Sequence, residues 1–144
     1  MFWSASAWRS IFRARTSDAA GRGDTGLYGE EAAARYLAHA GCAVLARRWR
    51  PKKYQEGEID LVVREGDEIV FVEVKTRRTA DFGPPEEAVT AFKRGQLRRL
   101  AAAWLAEAGG RGPRRHRIDV IAVSLTPAGR ARLRHIRSAV GEAD

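Results

Sequence analysis

The stretch that most constrains the fold is GEIDLVVREGDEIVFVEVK, residues 57–75. Apolar and polar residues alternate on both sides of EGDE, which is the pattern of two β-strands joined by a tight turn. Gly66 and Asp67 suit a two-residue loop of type II′, which prefers glycine at its first central position. This turn pairs Glu65 with Glu68 and thereby predicts the register of the whole hairpin.

The predicted register separates the hairpin into two faces, because successive strand residues point to opposite sides. One face is wholly apolar and is expected in the core: Ile59, Leu61, Val63, Val70, Val72 and Val74. The other face is apolar only near the turn, at Val62, Ile69 and Phe71. At its far end it places Asp60 opposite Glu73, and Glu58 opposite Lys75.

Two opposed carboxylates on apolar strands need a compensating charge. Directly opposed strand residues have Cβ atoms about 4.5–5.5 Å apart, and like charges there are destabilising. Burial strengthens the repulsion unless a proton or a cation lies between the groups. Lys75 supplies one positive charge, and a hard divalent cation such as Mg²⁺ or Mn²⁺ is the natural further partner. The alternative is a solvated strand face with a Glu58–Lys75 pair, but the clustering of acids at one end favours the metal site.

A helix over residues 26–40 precedes the hairpin and ends at Gly41, a typical C-cap glycine. Its buried stripe is formed by residues with helical spacing: Ala33, Tyr36, Leu37 and Ala40. Glu30 extends this stripe by one turn, which places a carboxylate on the core side. Two interpretations stay open for Glu30: an acid favoured in the first turn by the helix dipole, or a site residue.

The rest of the chain alternates strands and helices. We predict a strand over 42–50, a basic loop over 51–56, a helix over 86–108, a loop over 111–117 and a strand over 118–125. Residues 131–140 are a weaker final strand or helix. The buried stripe of the long helix is predicted as Val89, Phe92, Leu97, Leu100, Ala101, Trp104 and Leu105. Residues 1–25 are expected to be a disordered basic extension, and residues 26–144 to form a single α/β domain.

Charge and cysteine content bound the function. The chain has 26 Lys and Arg against 18 Asp and Glu, a net charge of +8, which indicates a polyanionic partner, nucleic acid ahead of an anionic membrane. The alternative is an arginine-rich surface that is merely solvated. No apolar run reaches the roughly 20 residues of a membrane span. The single cysteine, Cys42, excludes an internal disulfide framework, fits the reducing cytoplasm, and lies in an apolar run typical of a core residue.

Four motifs in order resemble the YraN family: GEEAAARYLAHAG, GEIDLVV, VFVEVKTRR and FGPPEEAV. Asp60, twelve residues and then Glu73-Val74-Lys75 also resemble the PD-(D/E)xK nuclease signature. The resemblance covers about residues 26–124 and implies a restriction-endonuclease-like core, a mixed sheet of four to five strands with flanking helices in the order αβββαβ. The family is related by this fold to archaeal Holliday junction resolvases. Two features depart from its pattern: Arg48 stands where asparagine is common, and the loop before Gly57 is slightly longer.

The resemblance implies a role for each acid of the hairpin. Asp60 and Glu73 would bind Mg²⁺ or Mn²⁺ together with the carbonyl of Val74, and the metal would polarise the scissile phosphate. Lys75 would orient or activate the attacking water and stabilise negative charge. Glu30 matches the helical acid of the family and would hold a metal-bound water. The supporting candidates are Glu58, as a partner of Lys75, and Gln96.

Basic residues around this site would contact phosphates, which gives affinity and register without sequence specificity. The candidates are Lys52, Lys53, Arg77, Arg78, Lys93, Arg94, Arg98 and Arg99. We therefore expect a metal-dependent nucleic-acid phosphodiesterase, an endonuclease acting on branched or damaged DNA, with DNA favoured over RNA and a homodimer left open. The alternative is a non-catalytic nucleic-acid-binding protein that keeps the nuclease fold.

Overall fold

The computed structural model describes residues 8–13, 22–53, 57–77, 89–107 and 115–141. Two helices and six strands follow one another along the chain: β1 Trp8–Arg13, α1 Arg22–His39, β2 Ala43–Trp49, β3 Ile59–Glu65, β4 Glu68–Arg77, α2 Ala91–Glu107, β5 His116–Leu125 and β6 Arg130–Val140. The predicted order αβββαβ is confirmed from α1 to β5. Within the described residues no helix is both long and apolar enough to cross a bilayer.

The six strands form one mixed sheet in the order β1-β6-β5-β4-β3-β2. Strands β4 and β5 are parallel and the other neighbours are antiparallel. A parallel pair needs a long crossover, and α2 lies in the connection between β4 and β5. The α/β class and the mixed sheet are confirmed, and the edge strand β1 makes the sheet larger than the four to five strands expected.

The hairpin has the predicted register. Glu65 pairs with Glu68, and the pairing continues without a shift to Leu61 and Val72. Gly66 has φ 61°, as the first central position of a type II′ turn requires. The acids therefore lie beyond the last paired residues, at the end of the hairpin away from the turn.

A hydrophobic cluster covers each face of the sheet, so the molecule has three layers. Alternate hairpin residues Leu61, Val63, Val70 and Val72 pack with the alanines and Leu37 of α1. Val62, Ile69 and Phe71 pack with Leu97, Leu100 and Trp104 of α2. Ile59 was expected with the first set but packs in the second, at the end of β3 where the ladder to β4 has ended.

Helix α1 ends as predicted. Gly41 has φ 92°, and the N–H of Cys42 donates to the carbonyl of Leu37 at 2.9 Å, which is the hydrogen bond of a glycine C-cap. Ala33 and Leu37 are buried, whereas Ala40 in this last turn is exposed, which corrects the predicted stripe. The helix begins at Arg22 instead of residue 26.

Helix α2 begins at Ala91, five residues later than predicted, because Thr90 caps it. The Thr90 hydroxyl accepts a hydrogen bond from the N–H of Lys93 at 3.2 Å. Counting back three and four residues from buried Leu97 leads to Arg94 and Lys93, so Phe92 lies off the stripe and is 75% exposed. Its predicted burial is wrong.

The two ends of the chain are joined in the sheet. Residues 8–13, expected to be disordered, form β1 and pair antiparallel with β6. The final segment, left open as strand or helix, is the strand β6. The rest of the expected extension up to residue 21 lies outside the described residues.

Candidate active site

Three carboxylates meet at the end of the hairpin. Oxygens of Glu30, Glu58 and Asp60 all lie within 4.8 Å of one another. Glu30 comes from α1, Asp60 from β3, and Glu58 from the segment that enters β3. Glu58, which the sequence suggested only as a supporting residue, is therefore part of the acid cluster itself.

Glu73 adds a fourth carboxylate from β4. Its side chain is buried, and the residue is only 4% exposed. Glu73 Oε1 lies 3.4 Å from Lys93 Nζ and 3.8 Å from Lys75 Nζ. Glu73 Oε2 is buried and has no hydrogen-bond partner among the residues that the structure describes. Buried polar atoms normally have a partner, so an unsatisfied carboxylate oxygen is a suitable position for a proton or a metal ion.

The electrostatics of Asp60 agree with this interpretation. Burial, followed by the negative charge of Glu73, raises the pKa of Asp60 to about 7, and the charge of Glu30 acts in the same direction. The N–H of Val74 donates to Asp60 Oδ2 at 2.8 Å, which lowers the pKa but does not outweigh the repulsion. The expected conflict between Asp60 and Glu73 is therefore present. Metal binding by Asp60, Glu73 and the Val74 carbonyl stays a prediction.

Helix α1 positions Glu30 at the sheet through a close contact. A Cβ atom on Gly29 would collide with the side chain of Thr76 in β4, so this glycine lets the helix approach the strand. Because α1 begins at Arg22, Glu30 lies about two turns inside the helix. The helix dipole acts only within the first turn, so the interpretation of Glu30 as a first-turn acid is wrong.

The predicted cross-strand pair between Glu58 and Lys75 is wrong. Glu58 precedes β3, beyond the paired part of the hairpin, and binds Arg50 at 3.2 Å. Lys75 lies beside Glu73 instead. Lys75 therefore lies next to Glu73, the buried acid two residues before it. Glu58 makes its ion pair with Arg50 and not with Lys75, so the reason for giving it only a supporting role no longer holds.

The basic residues divide into two groups. Lys52, Lys53, Arg77 and Arg99 are exposed, as expected of phosphate contacts. The other described candidates on α2 face the protein: Lys93 binds Glu73, the Nε of Arg94 is buried, and Arg98 donates to the carbonyl of Gly141 at 3.0 Å. Arg78 lies outside the described residues.

Gln96 lies against the segment that enters β3. Gly57 has φ 109°, and a Cβ atom there would be 2.5 Å from Gln96 Nε2. The amide therefore packs at the base of the segment that carries Glu58, which agrees with the supporting position given to it. A direct role in chemistry stays a prediction.

Sequence reasoning understated Lys93 and missed the contacts of two arginines, Arg48 in β2 and Arg50 directly after it. Lys93 was detectable, because it lies four residues before the buried Leu97 and so on the same side of α2. The contact of Arg48 with Glu30 joins α1 to β2, and the contact of Arg50 with Glu58 joins the segments between β2 and β3. Only the fold brings these residues together.

A second buried carboxylate provides a contrast. Asp119 in β5 is 0% exposed and accepts hydrogen bonds from Arg117 Nε at 3.0 Å and from the Ser138 N–H at 2.9 Å. His135 Nε2 lies 2.7 Å from the same carboxylate, and His135 Nδ1 lies 3.0 Å from the Tyr36 hydroxyl. This acid is fully provided with protein partners. Glu73 Oε2, in contrast, has no partner among the described residues, although Glu73 and Asp119 lie in the same sheet.

Comparisons with known proteins agree over most of the chain. The family model described as Uncharacterised protein family UPF0102 matches residues 29–123, which include all four acids of the site and Lys75. A UPF0102 protein of Beutenbergia cavernae is 53% identical over 112 residues, which cover 78% of this chain and 92% of the relative. A UPF0102 protein of Frankia alni is 48% identical over 125 residues, 87% of this chain and 97% of the relative. One of Nocardia farcinica is 47% identical over 113 residues, 78% and 86% of the two chains.

Proposed function

The chain belongs to the UPF0102 family, whose function is uncharacterised, and we propose that it is a metal-dependent nucleic-acid phosphodiesterase, an endonuclease acting on branched or damaged DNA. The cofactor of this proposal is Mg²⁺ or Mn²⁺.

The observation that carries the proposal is the unpartnered buried oxygen of Glu73 beside Asp60. A buried carboxylate pair that repels, with a pKa of about 7 for Asp60, is costly for a fold unless the site binds a cation. Glu30 and Glu58 add oxygens on the other side of Asp60. A donor set made of carboxylate oxygens suits hard cations such as Mg²⁺ and Mn²⁺, so the residues present fit the metal.

Each acid has a role that follows from its position. Asp60 belongs to the three-acid cluster and is also acted on by the charge of Glu73. In this proposal Asp60 and Glu73 are the direct ligands. Glu30 and Glu58 are more exposed and would hold metal-bound waters. When bound, the metal would polarise the scissile phosphate and lower the pKa of a water ligand.

Two lysines supply positive charge beside Oε1 of Glu73, the oxygen other than the unpartnered Oε2. Lys75 Nζ and Lys93 Nζ both lie within 4 Å of Glu73 Oε1. Lys75 would orient the attacking water and stabilise the charge that develops on the phosphate oxygens. Lys93 would hold the Glu73 carboxylate in place through its ion pair with Oε1. The exposed Lys52, Lys53, Arg77 and Arg99 would contact the backbone of the nucleic acid.

One observation favours the alternative, a nucleic-acid-binding protein without turnover. Glu30 and Glu58 each bind an arginine of the protein, so part of the negative charge is neutralised without a metal. Glu73 has two lysines beside Oε1, but its Oε2 has no partner among the described residues, and this difference favours the enzyme.

A panel of labelled substrates tests the proposal. Four-way junctions, flaps, single strands and duplexes of DNA, and the matching RNA forms, are incubated with the protein in Mg²⁺, in Mn²⁺ and in EDTA. We expect metal-dependent cleavage of at least one branched DNA, abolished by Glu73→Gln. Binding without cleavage of any substrate by the wild-type protein would support the alternative instead.

A further inference from the structure

We propose that Arg48 is a displaceable counter-ion of the acid cluster, which competes with the metal for Glu30 and, once released, binds a phosphate of the substrate. This inference rests on the proposed function and names a residue that couples metal binding to nucleic-acid binding.

The position of Arg48 supports this role. Arg48 Nε lies 2.8 Å from Glu30 Oε2. The charges of Glu30, Glu58 and Asp60 all act on the Arg48 guanidinium and raise its pKa, with the hydrogen bond to Glu30 as the largest cause. These are the same three residues whose oxygens lie within 4.8 Å of one another. The guanidinium therefore interacts electrostatically with all three acids of the cluster.

The backbone of β2 has an unusual conformation at this residue. Arg48 has φ 48°, in the left-handed region that non-glycine residues rarely adopt. Its neighbours Arg47 and Trp49 pair with Leu61 and Ile59, so Arg48 lies across from Asp60. An unfavourable backbone conformation persists only where the surroundings hold it, and such positions are concentrated at functional sites. The residue in this conformation is the one whose guanidinium lies next to the acids.

The guanidinium is able to leave. The side chain of Arg48 is 45% exposed, whereas that of Glu30 is 19% exposed, so the arginine forms the outer member of the pair. An ion pair with this exposure is weak and exchanges with solvent. When the Glu30 carboxylate turns to a metal-bound water, the released guanidinium lies at the rim of the site, and its planar donors suit a phosphate.

Two consequences follow for binding. Arg48 lowers the affinity of the free protein for the metal, because the cation must displace it from Glu30. A bound metal ion raises the affinity for nucleic acid by more than its own charge would, because it also releases Arg48 from Glu30. By linkage, nucleic acid then raises the affinity for metal by the same factor.

The test measures Mn²⁺ binding to the full chain by calorimetry, without substrate. Arg48→Asn and Arg48→Gly both tolerate the left-handed backbone, and either should bind Mn²⁺ about three- to tenfold more tightly than the wild type. The matched control is Arg47→Asn. Arg47 binds Glu31 at 2.7 Å with a similar exposure of 53%, but Glu31 is outside the cluster, so the affinity should change less than twofold. In a Glu30→Gln background the gain from Arg48→Asn should disappear.

A second readout measures binding of a labelled DNA duplex in Ca²⁺ and in EDTA. Ca²⁺ should tighten DNA binding by the wild type more than by Arg48→Asn, at least twofold. Equal Mn²⁺ affinities of the wild type and both Arg48 variants would overturn the inference and leave the proposed metal site intact. Absence of Mn²⁺ binding in all proteins would overturn both. Binding by the Arg48 variants alone would support the inference.

Discussion

Replacing Asp60 by Asn should stabilise the metal-free protein at alkaline pH. Asp60 has a pKa of about 7 in the folded protein, against an ordinary value of 3.8, chiefly because it is buried and lies near Glu73. Each pKa unit corresponds to about 1.4 kcal/mol, so three units set an upper limit of about 4 kcal/mol. Asp60 is only partly buried, so solvent screening reduces this energy. Asn keeps an oxygen for the Val74 N–H, and we expect a gain of about 2 kcal/mol.

The gain should depend on pH in a defined direction. The folded protein binds a proton at Asp60 more strongly than the unfolded chain does, so this residue lowers the free energy of unfolding as the pH rises from about 4 to about 7. Asn is neutral throughout and lacks this decline. The difference between variant and wild type should therefore be small at pH 4 and complete at pH 8. Glu65, whose pKa is lowered to about 2 chiefly by its hydrogen bond with Arg117, has the opposite pH dependence but is present in both proteins.

Urea denaturation in EDTA at pH 4, 6 and 8 measures the effect, and calorimetry should show a melting temperature about 4–8 °C higher for the variant at pH 8. Asp119→Asn is the matched control, because Asp119 is also buried but is bound by Arg117, His135 and the Ser138 N–H. It should destabilise the protein by about 3 kcal/mol at pH 8. Excess Mg²⁺ should raise the melting temperature of the wild type and much less that of Asp60→Asn. An Asp60→Asn variant that is equally destabilised at pH 4 and pH 8 would refute the reasoning.

Two further predictions concern the helices. Arg99→Ala should weaken binding to all DNA sequences alike and reduce the salt dependence of binding by about one counterion, as measured by fluorescence anisotropy in increasing salt. Arg98→Ala should instead chiefly lower the melting temperature, because Arg98 donates to the carbonyl of Gly141. An unchanged salt slope for Arg99→Ala would show that this face of α2 is only solvated. Gly29→Ala should push α1 away from Thr76 and thereby weaken Mn²⁺ binding, measured by calorimetry. Adding Thr76→Ala should partly restore the Mn²⁺ affinity. An unaltered Mn²⁺ affinity of Gly29→Ala would show that Glu30 is not needed at the metal.

The hairpin was predictable from Leu61 to Val72 because its information is local, whereas Ile59, beyond this ladder, packs on the other face. The Gly66-Asp67 turn fixes the register, and the alternation assigns each residue to a face. The same local reasoning placed Asp60 near Glu73. It failed for Glu58, because the ladder ends before this residue and a tertiary contact with Arg50 decides its position.

The helices show where local patterns are ambiguous. The apolar stripe of α2 was correct from Leu97 onward but was extended to Phe92, because Thr90 was not recognised as the N-cap. For Glu30, the sequence left two interpretations open, and the start of α1 at Arg22 removed the first-turn interpretation, while the site role stays a prediction. Helix ends are set by a single capping contact, which periodicity does not reveal.

The contacts that the sequence did not reveal are long-range. Arg48 binds Glu30 from β2, the strand next to the hairpin, and Lys93 binds Glu73 from the crossover helix α2. The strand β1 pairs with β6, the two elements lying at opposite ends of the chain. Basic composition predicted a cationic surface but could not distinguish exposed Arg99 from Arg98, which is bound to the protein backbone.

The most direct test of the central claim is single-turnover cleavage by the wild type and by Lys75→Ala, with Mg²⁺ and with protein at saturating concentration. Lys75→Ala leaves all four acids in place, so metal binding should persist, and DNA affinity should fall only modestly because one charge among many is lost. Cleavage should slow by about 10²–10³-fold, the effect of losing one electrostatic or proton-transfer group. Equal cleavage rates for the two proteins, or no metal-dependent cleavage by the wild type, would contradict the account.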